Sequence, residues 1–150
     1  RYEIWTMQSA WHNLPTFEGV QQLPGTEYAA QDVHTTETSI TGELSGAYPP
    51  SKGLTAYRRV VQLSPNGITL QDETDYPGAV ELTLLTEQKP AHAPDGLAVG
   101  TLGGIRFDAQ AVQAEVTPVP VTDPRLRTAW PETIYKITLY FKKTLNLKLY

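Results

Sequence analysis

Apolar residues recur at every second position through much of the chain, and the 3.6-residue period of an amphipathic helix is almost absent. The clearest run places Tyr135, Ile137, Leu139 and Phe141 on one face of a strand and Lys136, Thr138, Tyr140 and Lys142 on the other. Val80, Leu82 and Leu84 alternate with Glu81 and Thr83, Val112, Ala114 and Val116 with Gln113 and Glu115, and Leu145, Leu147 and Leu149 with Asn146 and Lys148. A strand turns successive side chains to opposite faces, so each run predicts one buried and one wet face.

Turn chemistry separates these runs. Residues 56–63 lead into Ser64-Pro65-Asn66-Gly67 and then Ile68-Thr69-Leu70, and Asn-Gly between two such runs predicts a hairpin with a type I′ turn. Asp95-Gly96 and Gly103-Gly104 punctuate the next stretch in the same way. The prolines are expected in linkers, at Pro49-Pro50, Pro90 and Pro94, and Pro118, Pro120 and Pro124, because a missing N–H is tolerated poorly in a central strand. Residues 27–39 fit either a polar strand or a loop. Short strands recurring about every ten residues predict an all-β antiparallel sandwich or a large twisted sheet.

Composition narrows the partners. At 150 residues the chain is one domain, 1–150, with no interior linker long enough to divide it. Cysteine is absent, so only His, Asp and Glu remain as metal ligands. The formal charge of −4, with basic residues scattered except at Arg58-Arg59 and Lys142-Lys143, argues against nucleic acid as a partner. No apolar run is long enough for a membrane helix, and the first residues lack the order of a signal peptide. The chain opens on Arg1-Tyr2-Glu3 and stops at Leu147-Lys148-Leu149-Tyr150 within an alternating run, which suggests a piece of a longer polypeptide. A cut sheet leaves unpaired edges, so strand-mediated self-association is a further expectation.

Few residues point to chemistry on spacing alone. His12, His34 and His92 form no local metal-ligand spacing, and His92, in Pro90-Ala91-His92-Ala93-Pro94, is expected in an exposed loop. Asp72, Glu73 and Asp75 read as a solvated turn after the Ile68–Leu70 strand, lacking the Gly and distal Glu of a calcium loop. Ser45 and Ser51 lack the Gly-x-Ser-x-Gly setting of an activated nucleophile. Trp5, Trp11, Tyr28, Tyr48, Tyr57, Tyr76 and Trp130 fit core or cross-strand positions, or alternatively a sugar-stacking surface in a free-standing carbohydrate-binding module.

One stretch carries a family likeness. From Arg1 through Trp11-His12-Asn13-Leu14-Pro15 to Gly19-Val20-Gln21-Gln22 the sequence resembles heparinase II/III-like proteins, in which a His-Asn pair is followed by a short strand, Gly and Gln. The likeness continues through Ala47-Tyr48-Pro49, Tyr57-Arg58-Arg59-Val60-Val61-Gln62-Leu63, Pro124-Arg125-Leu126 and Trp130. It implies a C-terminal β-sandwich or layered twisted sheets, part of a larger supersandwich, that buttresses an α/α toroid domain in a lyase cleaving uronic-acid polysaccharides by β-elimination. An Asn, Gln or Arg there neutralises the uronate carboxylate while Tyr or His moves the proton. The resemblance further implies that His12 is the third ligand of a zinc ion held mainly by upstream residues, and that Trp11, Asn13 and Gln21 contact an acidic polysaccharide. The toroid residues are not in this sequence, so the chain alone is expected to be inactive and without cofactor. The family commonly has Thr after His-Asn, where this chain has Leu14-Pro15, so its substrate does not carry over.

Overall fold

A computed structural model describes residues 3–50 and 53–150. Arg1 and Tyr2, which open the stretch of family likeness, and Ser51, weighed as a nucleophile, lie outside the described residues. The fold is all-β, as the period-two pattern predicts: two antiparallel sheets pack face to face, and the only helical pieces among the described residues are single 3-10 turns.

The described residues form twelve strands: β1 (Pro15–Phe17), β2 (Gln31–Thr35), β3 (Ser39–Glu43), β4 (Tyr57–Ser64), β5 (Gly67–Thr74), β6 (Val80–Thr86), β7 (Pro90–Ala93), β8 (Gly96–Val99), β9 (Gly103–Arg106), β10 (Gln113–Pro120), β11 (Thr133–Phe141) and β12 (Thr144–Leu149). Four form one sheet in the order β1-β6-β11-β10, and eight form the other in the order β2-β3-β4-β5-β12-β9-β8-β7. The last strand is therefore interior, flanked by β5 and β9, so any added strand would have to use β2, β7, β1 or β10.

Alternation explains the core. Val80, Leu82 and Leu84 of β6 face inward with Ile137, Leu139 and Phe141 of β11, and meet Leu70, Leu145, Leu147, Leu97 and Ile105 of the larger sheet. Apolar area removed from water at about 25 cal/mol per Å² is the main force joining the layers. The outward face of the smaller sheet departs from the expected wet surface, because Thr83 and Thr138 are buried on it. The turn Ser9–Trp11 packs against β1 and β6, and the Lys136 ammonium lies 4.6 Å above the Trp11 ring, so the N-terminal segment covers that face.

Several local expectations are corrected. In the β4–β5 hairpin Ser64 pairs with Gly67, so the central turn residues are Pro65 and Asn66, one position earlier than expected. Proline fixes φ near −65°, which excludes type I′. Gly67 instead takes φ +123, and a Cβ there would lie 2.0 Å from the Leu149 carbonyl oxygen, so glycine is required by close backbone approach. Asp72 and Glu73 belong to β5 rather than to a turn, and Asp72 is buried. Pro118 and Pro120 lie within β10 and Pro90 starts β7; both are edge strands, where a missing donor costs no ladder bond. His92 accordingly sits on a strand rather than in a loop, and residues 27–39 supply β2 and the start of β3.

Glu43, at the end of β3, ties that strand to the start of β4: its Oε1 accepts the backbone N–H of Ser45 at 2.9 Å and of Tyr57 at 2.7 Å. Burial opposes its charge, but hydrogen bonds from Ser45 and Tyr57 outweigh it and hold the carboxyl below its ordinary 4.5. A depressed folded pKa means stability that is present above the unfolded pKa and lost as pH falls through the folded one. The urea midpoint should therefore fall on acidification from about pH 5 to about pH 3, and Glu43→Gln should flatten part of that slope by less than about 1 kcal/mol, since the group is partly solvated. A Glu43→Gln profile parallel to that of the unsubstituted chain would contradict this.

Candidate functional site

The segment that carries the family likeness folds back on itself before entering β1. Trp5–Met7 and Ser9–Trp11 each make one 3-10 turn, and the chain then reverses beyond β1 so that residues 21–25 run beside them. Gln21 Oε1 accepts the Ala10 N–H at 3.0 Å, and Ser9 Oγ accepts the Gln22 N–H at 3.0 Å. Between the two runs lies an open groove of about 570 Å³ whose polar side is formed by Gln8, Ser9, His12, Gln21 and Gln22.

His12 is exposed on this groove, with Nε2 3.1 Å from the Thr6 carbonyl oxygen. A carbonyl only accepts, so Nε2 carries the proton and a neutral ring offers Nδ1 as acceptor. The remaining polar side chains of the groove are amides and one hydroxyl, and among the described residues no carboxylate, Lys, Arg or Tyr lines it. No Lys or Arg occurs between Tyr2 and Ser51 at all.

The four candidate residues divide among three places. His12 and Gln21 share the groove. Asn13 turns to a neighbouring, mostly apolar hollow of about 250 Å³ bordered by Leu84, Leu85, Ile137, Leu149 and Tyr150. Trp11 lines neither hollow: its ring centroid lies 4.6 Å from that of Trp5, which is in turn 5.9 Å from Trp130, both edge-on. With Lys136 over Trp11 and all three indoles half-buried, the cluster fastens the N-terminal turns onto the smaller sheet. His34 and His92 are exposed on the edge strands β2 and β7, away from His12's groove.

Zinc requires three or four converging N, O or S ligands. Among the described residues no group of three or more His, Cys, Asp and Glu could hold a metal ion, and His12 contacts a backbone carbonyl instead. These residues by themselves do not fit a zinc centre.

Beneath the His12-Asn13 turn lies an ionic network that the sequence reading missed. Arg59 of β4 stands opposite Asp72 of β5 and binds it in bidentate fashion, Nε to Oδ1 at 2.7 Å and Nη2 to Oδ2 at 2.6 Å. The Tyr57 hydroxyl donates to the same Oδ2, and the remaining Arg59 nitrogen, Nη1, donates to the Asn13 carbonyl at 2.6 Å. The Asp72 side chain is wholly buried and that of Arg59 is 12% exposed. Burial works against the guanidinium charge, but the hydrogen bonds and charge of Asp72 overcome it and raise the Arg59 pKa. Burial, then the Asp72 charge, pushes the Tyr57 phenol well above its usual range, so Tyr57 remains a donor at any ordinary pH.

No family model matches the chain, and no curated protein sequence matches it.

Proposed function

We propose that this chain is the non-catalytic β-sandwich of a heparinase II/III-like polysaccharide lyase, buttressing an α/α toroid and walling the cleft that binds an acidic polysaccharide. The observation that carries this reading is convergence. Residues of the family-like stretch between Met7 and Gly25 line a groove of about 570 Å³ and bring His12 and Gln21 into it together. Imidazole and amide donors suit a uronate carboxylate and sugar hydroxyls, and a groove needs only a few such convergent polar groups to orient its ligand.

Among the described residues the same groove lacks the full set of groups for turnover. β-Elimination requires a base at C5, an acid for the leaving oxygen and a neutraliser for the carboxylate. Among the described residues His12 supplies one titratable side chain and the amides supply neutral donors, so on this reading the second proton carrier and the cationic charge come from outside the described residues, in keeping with a toroid domain. A zinc ion, on this reading, would draw its other ligands from outside the described residues. The competing reading, a free-standing carbohydrate-binding module built on Trp11 and Trp130, requires exposed aromatic faces, and the indoles are instead half-buried against one another and Lys136.

The test titrates the chain with uronate oligosaccharides from heparan sulfate, hyaluronan and alginate. NMR shift changes should centre on His12, Gln21 and Gln22, His12→Ala should weaken binding by about tenfold, the loss of one hydrogen bond to a charged group, and no unsaturated uronide absorbance should develop. Turnover by the chain alone, or shifts centred on the indole cluster, would overturn the proposal.

A further inference from the structure

We infer that Arg59 is the positioning residue for the His12-Asn13 turn, holding from within the sandwich the ridge between the groove and the neighbouring apolar hollow. The inference rests on how the guanidinium divides its donors. Nε and Nη2 are committed to Asp72, which leaves Nη1 aimed at the Asn13 carbonyl, 46 residues earlier in the chain and outside the larger sheet. Asp72 is fixed in turn by the Tyr57 hydroxyl, and both Tyr57 and Asp72 are buried, so the fork cannot swing.

The turn has few other anchors among the described residues. The His12 N–H donates to Ser9 O and the Leu14 N–H to His12 O, both within the turn itself, and the His12 ring reaches only Thr6 O of the same segment. Asn13 O is thus the point at which the turn is bonded to the sandwich interior. Lysine could neutralise Asp72 but offers a point charge rather than a fork, and would not serve Asp72 and Asn13 with the same geometry. A purely structural ion pair would need only the Asp72 contacts; the third, across the layers, is what a positioning role adds.

Two variants test this. Replacing a buried ion pair with apolar residues of similar volume is often neutral to stability, so Arg59→Met/Asp72→Leu should remain folded while losing the Asn13 bond. Arg59→Lys keeps the charge on Asp72 and serves if the double variant does not fold. In either, hydrogen exchange at the two bonded amides of the turn, His12 and Leu14, should rise about tenfold relative to that in β6 and β11. Unchanged exchange at these two amides in the folded variant would overturn the inference, as would full protection in Arg59→Lys. The link to ligand depends on the groove reading above, and a second measurement separates the two: affinity for the uronate oligosaccharides should fall in step with the loosened turn. Exchange that rises in variants of a chain that binds no oligosaccharide would sustain Arg59's role and sink the groove reading alone; weakened binding with unchanged exchange would sink Arg59's role alone.

Discussion

Asp72→Leu on its own should lower stability at neutral pH by about 3–5 kcal/mol, a large part of the 5–15 kcal/mol typical of a domain. The substitution adds apolar volume in a buried place, yet it leaves the Arg59 charge without a partner where its side chain is 12% exposed, and leaves the Tyr57 hydroxyl without its acceptor. Bringing a charge out of water costs several kcal/mol, and only the opposed charge and its hydrogen bonds offset this. Arg59→Met alone should be costly for the mirror reason, since the buried carboxylate then keeps one phenol donor. The two changes together should cost far less than their sum, a coupling that a double-mutant cycle reads directly. Urea midpoints for the two single variants and the pair decide it. Additive effects, or an Asp72→Leu loss below about 1 kcal/mol, would mean that the pair is solvated in solution.

The larger features of this fold were legible because burial follows parity. Val80, Leu82 and Leu84, and Ile137, Leu139 and Phe141, alternate so regularly that strand and inward face follow from one another. The ionic network was legible by the same rule, but charge type masked it. Tyr57, Arg59 and Val61 fall on one parity, as do Leu70, Asp72 and Thr74, and pairing Ser64 with Gly67 places Arg59 opposite Asp72. Reading Asp72 with its acidic neighbours Glu73 and Asp75 as a solvated turn ignored that parity. Composition outweighed position, and position was correct.

The covering of the outer face of the smaller sheet was not legible. Thr83 and Thr138 lie on the polar parity of their strands yet are buried, and Ser9–Trp11, some 70 residues before Thr83, packs against the strand that carries it. Nor could spacing divide the candidate residues. His12 and Asn13 are adjacent, yet they face two hollows, because Asn13 approaches the extended backbone of β1 while His12 closes the 3-10 turn. Trp11, one residue earlier, goes to the indole cluster.

Phe17→Ala should destabilise the chain by about 3–5 kcal/mol, the range for emptying a buried phenyl site. Phe17 comes from a strand of three residues, too short to suggest so central a role. It is nevertheless fully buried, and three tyrosines present their rings to it nearly edge-on: Tyr48 at 5.0 Å, Tyr76 at 5.1 Å and Tyr57 at 5.5 Å. Edge-to-face pairs add about 0.5–1.5 kcal/mol each beyond area burial. None of the three can easily collapse into the space, because each hydroxyl is tied elsewhere: Tyr48 to Pro15 O, Tyr76 to Glu18 and Tyr57 to Asp72. A cavity whose walls are anchored relaxes little, which places the loss toward the upper part of the range. Since Phe17 belongs to the smaller sheet and Tyr57 to the larger, the variant also removes a contact between layers. Leu63→Ala, at a side chain 54% exposed, serves as the surface control and should change stability by no more than about 0.5 kcal/mol. Denaturant midpoints with unchanged m-values would measure both; a Phe17→Ala loss no larger than that of the control would show that β1 is peripheral, and would detach from the sandwich the very segment on which His12 and Gln21 depend for their place.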